Sequence, residues 1–365
     1  MKEIAKVQGP PEAGTIERDS ELSRSFPFSP AALFIPVISL LALVILVFFV
    51  SGSPARTLYF FFAGPFKNLY SFGNMLNAAI PLILGALGVT VAMKAGCFNL
   101  GGEGQIYLGA FVTTAVALAL PRFGVIGAIL AALAGGLCSG ALAAISGFCR
   151  AKWNTSELIT TFLLSTAVIP VVNFFVTGPF LDPETSLQST GKIAQTMRLP
   201  LILKPSNLSA GVFIALAAVF LVHIFLTRTK TGYEFRMAGN NELFARYGGI
   251  NTKFNTVLSM FISGFLYGLA GAFAVMGTYY AVVKEFSAGL GWNGLAVALI
   301  AGFSSPAVIP AALFFAWIGA GARSAMQNTG LTFETASIVQ AVIFFLSTSL
   351  LIRNVFSRRR KNFNG

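Results

Sequence analysis

Charged residues are scarce in this chain of 365 residues. They make up 10% of it, whereas hydrophobic residues make up 55%. A soluble domain carries roughly 25% charged residues. The mean hydropathy of +0.76 leaves too little polar sequence for a sizeable soluble domain. The composition therefore predicts an all-α polytopic membrane protein that lies in the lipid bilayer.

Cysteine and histidine are also rare. Cys97, Cys138 and Cys149 lie in or beside apolar runs without a C-x-x-C spacing, and His223 is the single histidine. Such a set predicts neither a disulfide framework nor a metal site. A lone histidine at a membrane boundary also gives no catalytic triad. We therefore expect no metal and no cofactor in this chain.

A phosphate-binding loop is missing as well. The pattern G-x-x-x-x-G-K-[ST] does not occur, because Thr190-Gly191-Lys192 has Ser186 where the upstream glycine would stand. We therefore expect no ATP hydrolysis by the chain itself, and no enzyme activity. The net charge of +12 does not require a nucleic-acid partner, since the cytoplasmic flanks of membrane spans collect Lys and Arg.

Long apolar runs predict about ten transmembrane helices. The predicted spans are 31–50, 72–93, 103–120, 125–148, 157–177, 209–226, 254–283, 289–302, 306–323 and 336–352. Residues 1–30 form a polar N-terminal tail, and 354–365 form a basic C-terminal tail. The fourth span, 125–148, is rich in Gly and Ala, which let helices approach closely. We therefore expect it to be buried inside the bundle.

The distribution of Lys and Arg predicts the orientation. Most of these residues, including those in 228–253 and 353–361, fall on one side of a ten-span arrangement. By the positive-inside rule this side is the cytoplasm, so both termini are predicted to be cytoplasmic. The loop 178–208 is then external, and the loop 228–253 is internal.

The stretch 94–109 interrupts two long apolar runs with glycines and polar side chains, among them Asn99, Glu103 and Gln105. Glycine relaxes the backbone, and polar groups within a bilayer are costly unless they pair or line a cavity. We interpret the stretch as unwound backbone followed by a short helix with Glu103 at its positive N-terminus. The polar side chains either cap and pack this helix or line a solute path.

The stretch 289–302 repeats this pattern. It has a glycine-rich start with Trp292 and Asn293, and it is about half the length of a full span. The two interrupted elements are the third and eighth of ten spans, which predicts two inverted repeats of five helices. Paired interrupted segments in inverted repeats indicate the central path of a transporter.

Two further segments carry candidate sites. Glu157 follows Asn154-Thr155-Ser156, so it is either an acid in the first turn of the fifth span or part of the path. In the loop 228–253, the apolar residues Leu243, Phe244 and Tyr247 lie between glycines. A short amphipathic helix of this kind suits docking into a groove of a partner.

Four stretches resemble one family. Residues 95–105, AGCFNLGGEGQ, are similar to the signature A-G-x-F-N-[IL]-G-x-E-G-Q of permease subunits of bacterial ABC importers. The group concerned is the nucleoside and simple-sugar class, which is served by lipoproteins of the basic-membrane-protein type and is similar to the ribose and branched-chain amino acid permeases. Residues 154–165, 232–251 and 289–302 resemble three further elements of this family in the same order.

The resemblance implies a permease domain over 31–353 in the bacterial inner membrane. Its implied partners are cytoplasmic ABC ATPase subunits that hold ATP and Mg²⁺, a second related permease or a second copy, and an external substrate-binding lipoprotein. The residues implied near the path are Asn99, Glu103, Gln105, Glu157, Trp292 and Asn293. Those implied to couple to the ATPase are Arg236, Gly239, Asn240, Glu242, Ala245, Arg246 and Tyr247.

The chain departs from the family pattern at two places. Leu243-Phe244 is bulkier than usual, and Thr155-Ser156 is extra before Glu157. A nucleoside is the first substrate that the resemblance implies, with a riboflavin-type vitamin or a simple sugar second. An alternative function, from a different class of transporter, is that of an ion-coupled secondary transporter in which Glu103 and Glu157 are the ion sites.

Overall fold

A computed structural model describes residues 51–329 without a gap, together with isolated positions at 41, 44, 45, 47–49, 338 and 341. Both predicted tails, and most of the predicted first and tenth spans, lie outside the described residues. Between 51 and 329 each predicted span is a helix, and six helices are long and apolar enough to cross a membrane. The prediction of an all-α multi-pass membrane protein is thereby confirmed.

Short connections join most of the helices. In chain order they are α1 (Pro54–Ala63), α2 (Leu69–Lys94), α3 (Gly102–Ala119), α4 (Gly124–Trp153), α5 (Glu157–Thr177), α6 (Gly211–Arg228), α7 (Lys230–Asn240), α8 (Glu242–Tyr247), α9 (Thr252–Ala274), α10 (Leu290–Ile300) and α11 (Val308–Thr329). Single 3₁₀ turns are found at Gly64–Phe66, Pro121–Phe123 and Gln195–Met197, and a π-turn at Val275–Tyr279 extends α9.

The loop between α5 and α6 folds over the end of α9. Strands β1 (Leu201–Leu203) and β2 (Leu208–Ser209) pair antiparallel within it. The backbone N–H of Leu199 donates to the carbonyl oxygen of Met276 in the π-turn at 3.0 Å, and that of Ile193 donates to the carbonyl oxygen of Tyr280, directly after the turn, at 2.8 Å. These bonds satisfy the backbone of an otherwise irregular segment and hold it against the bundle.

Helix α2 forms the centre of the bundle. Of its most apolar window, 83% is buried inside the protein. Helices α9, α10 and α11 all pack against it. The core is therefore organised around α2, in which Thr90 is the single polar side chain of residues 78–93, so this part of the helix has no polar face to turn outward.

The prediction that the fourth span is buried inside the bundle was wrong. Only 39% of the corresponding window, in α4, is buried. The small residues Gly135, Gly140 and Ala143 are buried against α3 and α9, while Leu133 and Leu137 are 43% and 51% exposed. Small residues permit close approach on the face that bears them and do not determine what covers the opposite face.

Only one of the two predicted short helices is short. Helix α10 has 11 residues and spans about 16 Å. Helix α3 is continuous over 18 residues, because the break precedes it at 95–101 and does not divide it. The arrangement as two inverted five-helix repeats stays a prediction.

Candidate functional site

The segment 95–101 turns back into the bundle after α2 ends at Lys94. Gly96 makes the turn with a φ of 74°. Gly102 then packs against the ring of Tyr267, the same ring that contacts Gly85 of α2. Gly85 is about 14 Å along the axis of α2 from Lys94. Helix α3 therefore begins well inside the bundle, and the segment before it is a re-entrant stretch.

Side chains of α5 satisfy the backbone of this re-entrant stretch. Three residues spaced one helical turn apart accept amide hydrogens, two from this stretch and one from the first turn of α3. The pairs are Phe98 N–H to Glu157 Oε1 at 3.3 Å, Leu100 N–H to Thr161 Oγ1 at 3.1 Å, and Gly104 N–H to Ser165 Oγ at 2.7 Å. Unpaired backbone amides are costly in a membrane interior, so this ladder allows an unwound segment to lie there.

Asn99 and Gln105 are bonded to each other. Asn99 Nδ2 donates to Gln105 Oε1 at 2.8 Å, and Gln105 Nε2 donates back to Asn99 Oδ1 at 3.0 Å. Asn99 also donates to Ser263 Oγ of α9 at 3.0 Å. Both amides are 1% exposed. Their hydrogen-bonding groups therefore close the turn into α3 and attach it to α9.

Glu103 binds the N-terminus of α10. Its Oε1 accepts the N–H of Gly289 at 2.8 Å, and its Oε2 accepts the N–H of Gly291 at 2.9 Å. The first amides of a helix lack intrahelical partners and lie at its positive end. A Cβ on Gly291 would collide with the backbone of Glu103. The two glycine-rich starts that resemble each other in sequence thus meet in space.

Trp292 and Asn293 lie in the first turn of α10, next to this contact. Trp292 is 38% exposed, and its ring centroid is 6.5 Å from that of Phe162 on α5. Asn293 is half-buried. Sequence reasoning missed Phe162, because nothing in its local pattern distinguishes it from the other apolar residues of α5.

Glu157 also binds Arg150 of α4. The two side chains form an ion pair, and Arg150 Nη1 donates to the carbonyl oxygen of Gly96 at 2.9 Å. The side chain of Arg150 is 25% exposed, and that of Glu157 is 13% exposed. Arg150 and Glu157 therefore clamp the start of the re-entrant stretch. Arg150 was not among the predicted site residues, although it directly follows the fourth predicted span and lies only a few residues before Glu157.

Helix α7 rests on the start of the re-entrant stretch. A Cβ on Gly239 would collide with the carbonyl of Lys94 and lie 2.9 Å from the backbone N of Gly96. Arg236 and Asn240 line a pocket of 220 Å³ with Lys94. Among the described residues, Arg236 Nε is buried without a hydrogen-bond partner. Four of the predicted coupling residues, Glu242, Ala245, Arg246 and Tyr247, are in the next helix, α8.

Helix α8 presents an apolar surface to its surroundings. Leu243, Phe244 and Tyr247 are 65%, 62% and 91% exposed, whereas Ala245 is buried against the rest of the protein. Glu242 and Arg246 form an ion pair at 3.1 Å across one turn. The side chain of Asn241 caps the helix by accepting the N–H of Phe244 at 3.0 Å. The structure thus places the predicted amphipathic stretch on a short, separately capped helix.

Comparison with known proteins gives one family. Residues 71–348 match the family described as "Branched-chain amino acid transport system / permease component". A probable riboflavin import permease of Treponema pallidum is 35% identical over 81% of this chain and 79% of its own. The guanosine ABC transporter permease NupP of Bacillus subtilis is 31% identical over 90% and 97%. The nucleoside ABC transporter permease NupB of Lactococcus lactis is 33% identical over 77% and 80%. No solved structure matches the chain significantly.

Proposed function

Because the chain belongs to the family of permease components typified by branched-chain amino acid transport systems, we propose that it carries a nucleoside across the bacterial inner membrane. It is the permease subunit of an ABC importer and a transport subunit without catalytic activity of its own. Such importers work with ATPase and substrate-binding partners. Family membership decides against the ion-coupled secondary transporter, the alternative that the sequence left open.

The substrate proposal rests on one observation, the aromatic pair of Phe162 and Trp292 beside the first turn of α10. Aromatic side chains stack on the planar ring of a nucleobase, and a neighbouring amide such as Asn293 can hydrogen-bond its edge. Similar proteins are named for guanosine, nucleosides and riboflavin. A riboflavin-type vitamin is the second candidate, since it has a planar ring too, whereas a simple sugar does not.

The path is proposed to follow the surface that carries Glu103, Trp292 and Asn293. Helix α3 begins well inside the bundle, so these polar groups lie at a depth where contact with lipid is unfavourable. A water-filled path between this chain and a second permease removes that cost. Asn99, Gln105 and Glu157 shape the wall of the path through the bonds described above and do not touch the solute.

Coupling to ATP hydrolysis is proposed to pass through α7 and α8. The exposed side chains of Leu243, Phe244 and Tyr247 suit a groove on a cytoplasmic ATPase. A push on α8 reaches the re-entrant stretch through Gly239, which packs directly on the backbone of Lys94 and Gly96. The stretch leads on to Glu103 and hence to α10, so closure of the ATPases would move the start of α10 relative to α2. ATP and Mg²⁺ belong to the partner.

Uptake by the complete importer tests the proposal. The chain is produced with its ATPase, with its binding lipoprotein and with or without a related permease, in a strain that lacks other nucleoside importers. Uptake of labelled guanosine is then measured with unlabelled adenosine, riboflavin or ribose as competitors. We expect competition by adenosine and none by ribose.

Each competitor identifies a different solute class. Uptake of labelled riboflavin by the same cells, with no uptake of labelled guanosine, would select the vitamin and refute the nucleoside. Competition by ribose alone would refute any role for ring stacking. Uptake that persists after the ATPase gene is deleted would contradict the coupling route through α8.

A further inference from the structure

A positively charged pocket lies where the C-terminal end of α4 meets the first turn of α9 and helix α8. It has a volume of 330 Å³, and its charged lining residues are Arg150, Lys152, Glu242, Arg246 and Lys253. No part of the transport path proposed above uses this pocket. Its volume lies at the lower end of the range of ligand pockets, and its surplus of positive charge would favour an anionic group.

Two of the four cationic side chains that line the pocket already form ion pairs. Arg150 is bound to Glu157, and Arg246 is bound to Glu242 at 3.1 Å. Within residues 51–329, neither Lys152 nor Lys253 forms an ion pair with a carboxylate. The pocket therefore keeps two positive charges that an anion can neutralise.

One side of the pocket borders the exposed apolar surface of α4. Ile145, Phe148 and Lys152 follow one another at spacings of three and four residues, so they form a single stripe. Ile145 and Phe148 are 49% and 47% exposed. Lys152 Nζ lies 5.5 Å from the ring centroid of Phe148 and 5.2 Å from that of Trp153. Aromatic and basic side chains together are typical of the membrane–water interface.

We propose that this pocket binds the headgroup phosphate of an anionic phospholipid from the cytoplasmic leaflet. Lys152 and Lys253 neutralise the phosphate, and an acyl chain lies along Ile145 and Phe148. The inference rests on the orientation predicted from the Lys and Arg distribution, because it requires the pocket to face the cytoplasmic leaflet. Since Glu242 and Arg246 also line the pocket, the lipid would contact the inner side of α8, whose outer side is proposed to meet the ATPase.

Lipid retention by the purified importer tests this proposal. The complex in detergent is incubated with mixed micelles of phosphatidylglycerol and phosphatidylcholine in equal amounts, and retained lipid is quantified by mass spectrometry after gel filtration. We expect phosphatidylglycerol to be enriched, and Lys152→Gln and Lys253→Gln each to lower its enrichment about fivefold. Lys230→Gln is the matched control, because the Lys230 side chain is 90% exposed on α7 and does not line the pocket.

Four results would overturn the proposal. These are equal retention of both lipids, an equal loss in Lys230→Gln, displacement of the lipid by an equal concentration of inorganic phosphate, and loss of the ATPase from the Lys152 and Lys253 variants with lipid retention unchanged. The third result would assign the pocket to a soluble anion, and the fourth to an acidic side chain of the ATPase. Lipid retention is measured without transport, so its failure leaves the nucleoside proposal unaffected.

Discussion

The carboxylate of Glu103, in the first turn of α3, accepts the N–H of Gly291, in the first turn of α10, at 2.9 Å. The same carboxylate accepts the N–H of Gly289 at 2.8 Å. One side chain thus supplies the cap for a half-length helix that is far from it in the sequence. The contact links the re-entrant stretch, which α7 touches, to the helix that bears Trp292.

Replacement of Glu103 by Gln should reduce transport about tenfold. A carboxamide keeps one acceptor oxygen but presents an NH₂ group to the second backbone N–H, and it removes the negative charge at the positive end of α10. A hydrogen bond to a charged group contributes about 1.5–3 kcal/mol, and 1.4 kcal/mol corresponds to a factor of ten. Uptake by the importer and the unfolding temperature of the purified complex measure the effect.

Glu184→Gln serves as the control for this variant, because Glu184 is an exposed acid in the loop between α5 and α6. Solute binding by the external lipoprotein should be unchanged in both variants. Transport at the wild-type rate in Glu103→Gln would show that the carboxylate has no part in the transport cycle beyond capping.

The long apolar helices of this fold could be predicted from the sequence, because an apolar run long enough to cross a bilayer indicates a membrane-spanning helix and its approximate bounds. The break before α3 was predicted too, since several glycines and polar residues fall together there. The pairings were not predictable. These contacts form only in the folded bundle, which sets the relative positions of the helices and loops. They are the bonds of Glu103 with Gly289, of Glu157 with Arg150, and of Gln105 with Asn99.

The burial of whole helices was equally hard to predict. The many small residues of α4 favoured a central position, but α2 occupies it. Both helices are apolar all round, so hydrophobic periodicity does not separate lipid contact from protein contact. For the same reason Phe162, which lies next to Trp292, could not be distinguished from the other exposed apolar residues of α5.

Gly239→Ala should uncouple the importer. The added methyl group would collide with the carbonyl of Lys94, so α7 would have to move away from the re-entrant stretch. The exposed side chains of α8 are unaffected, so the ATPase should still copurify while uptake falls at least about tenfold. ATPase activity and uptake are measured on the same preparation of the complex.

Gly248→Ala is the matched control for this substitution. Gly248 follows α8 with a φ of −74°, and a Cβ there would lie 3.4 Å from the carbonyl oxygen of Ala245, which is an ordinary contact. Loss of the ATPase from the Gly239→Ala complex would mean that Gly239 belongs to the docking surface itself. Normal uptake would contradict the transmission route.

Thr161→Val should destabilise the re-entrant stretch. The substitution preserves the shape of the side chain but leaves the N–H of Leu100 without its acceptor. An unsatisfied buried amide costs about 1–3 kcal/mol, so the purified complex should unfold at a lower temperature. Thr161→Ser keeps the hydroxyl and should restore much of the stability.

Thr166→Val gives the comparison on the other side of α5. Thr166 is exposed, and its hydroxyl donates only to the carbonyl oxygen of Leu163 within the same helix. Its replacement should change the unfolding temperature little. Equal destabilisation by the two valine variants would argue against the ladder between α5 and the re-entrant stretch.

Trp292→Ala should lower uptake more than Trp292→Phe does. Stacking between a base and an aromatic side chain contributes about 1–3 kcal/mol, and phenylalanine preserves a flat surface next to Phe162 whereas alanine does not. Uptake of labelled guanosine at limiting concentration should fall about tenfold in the alanine variant. Phe213→Ala on α6, where the ring is 64% exposed, should transport normally. If Trp292→Ala and Phe213→Ala behaved alike, solute would not stack at this position, and the path would have to follow another surface of the bundle.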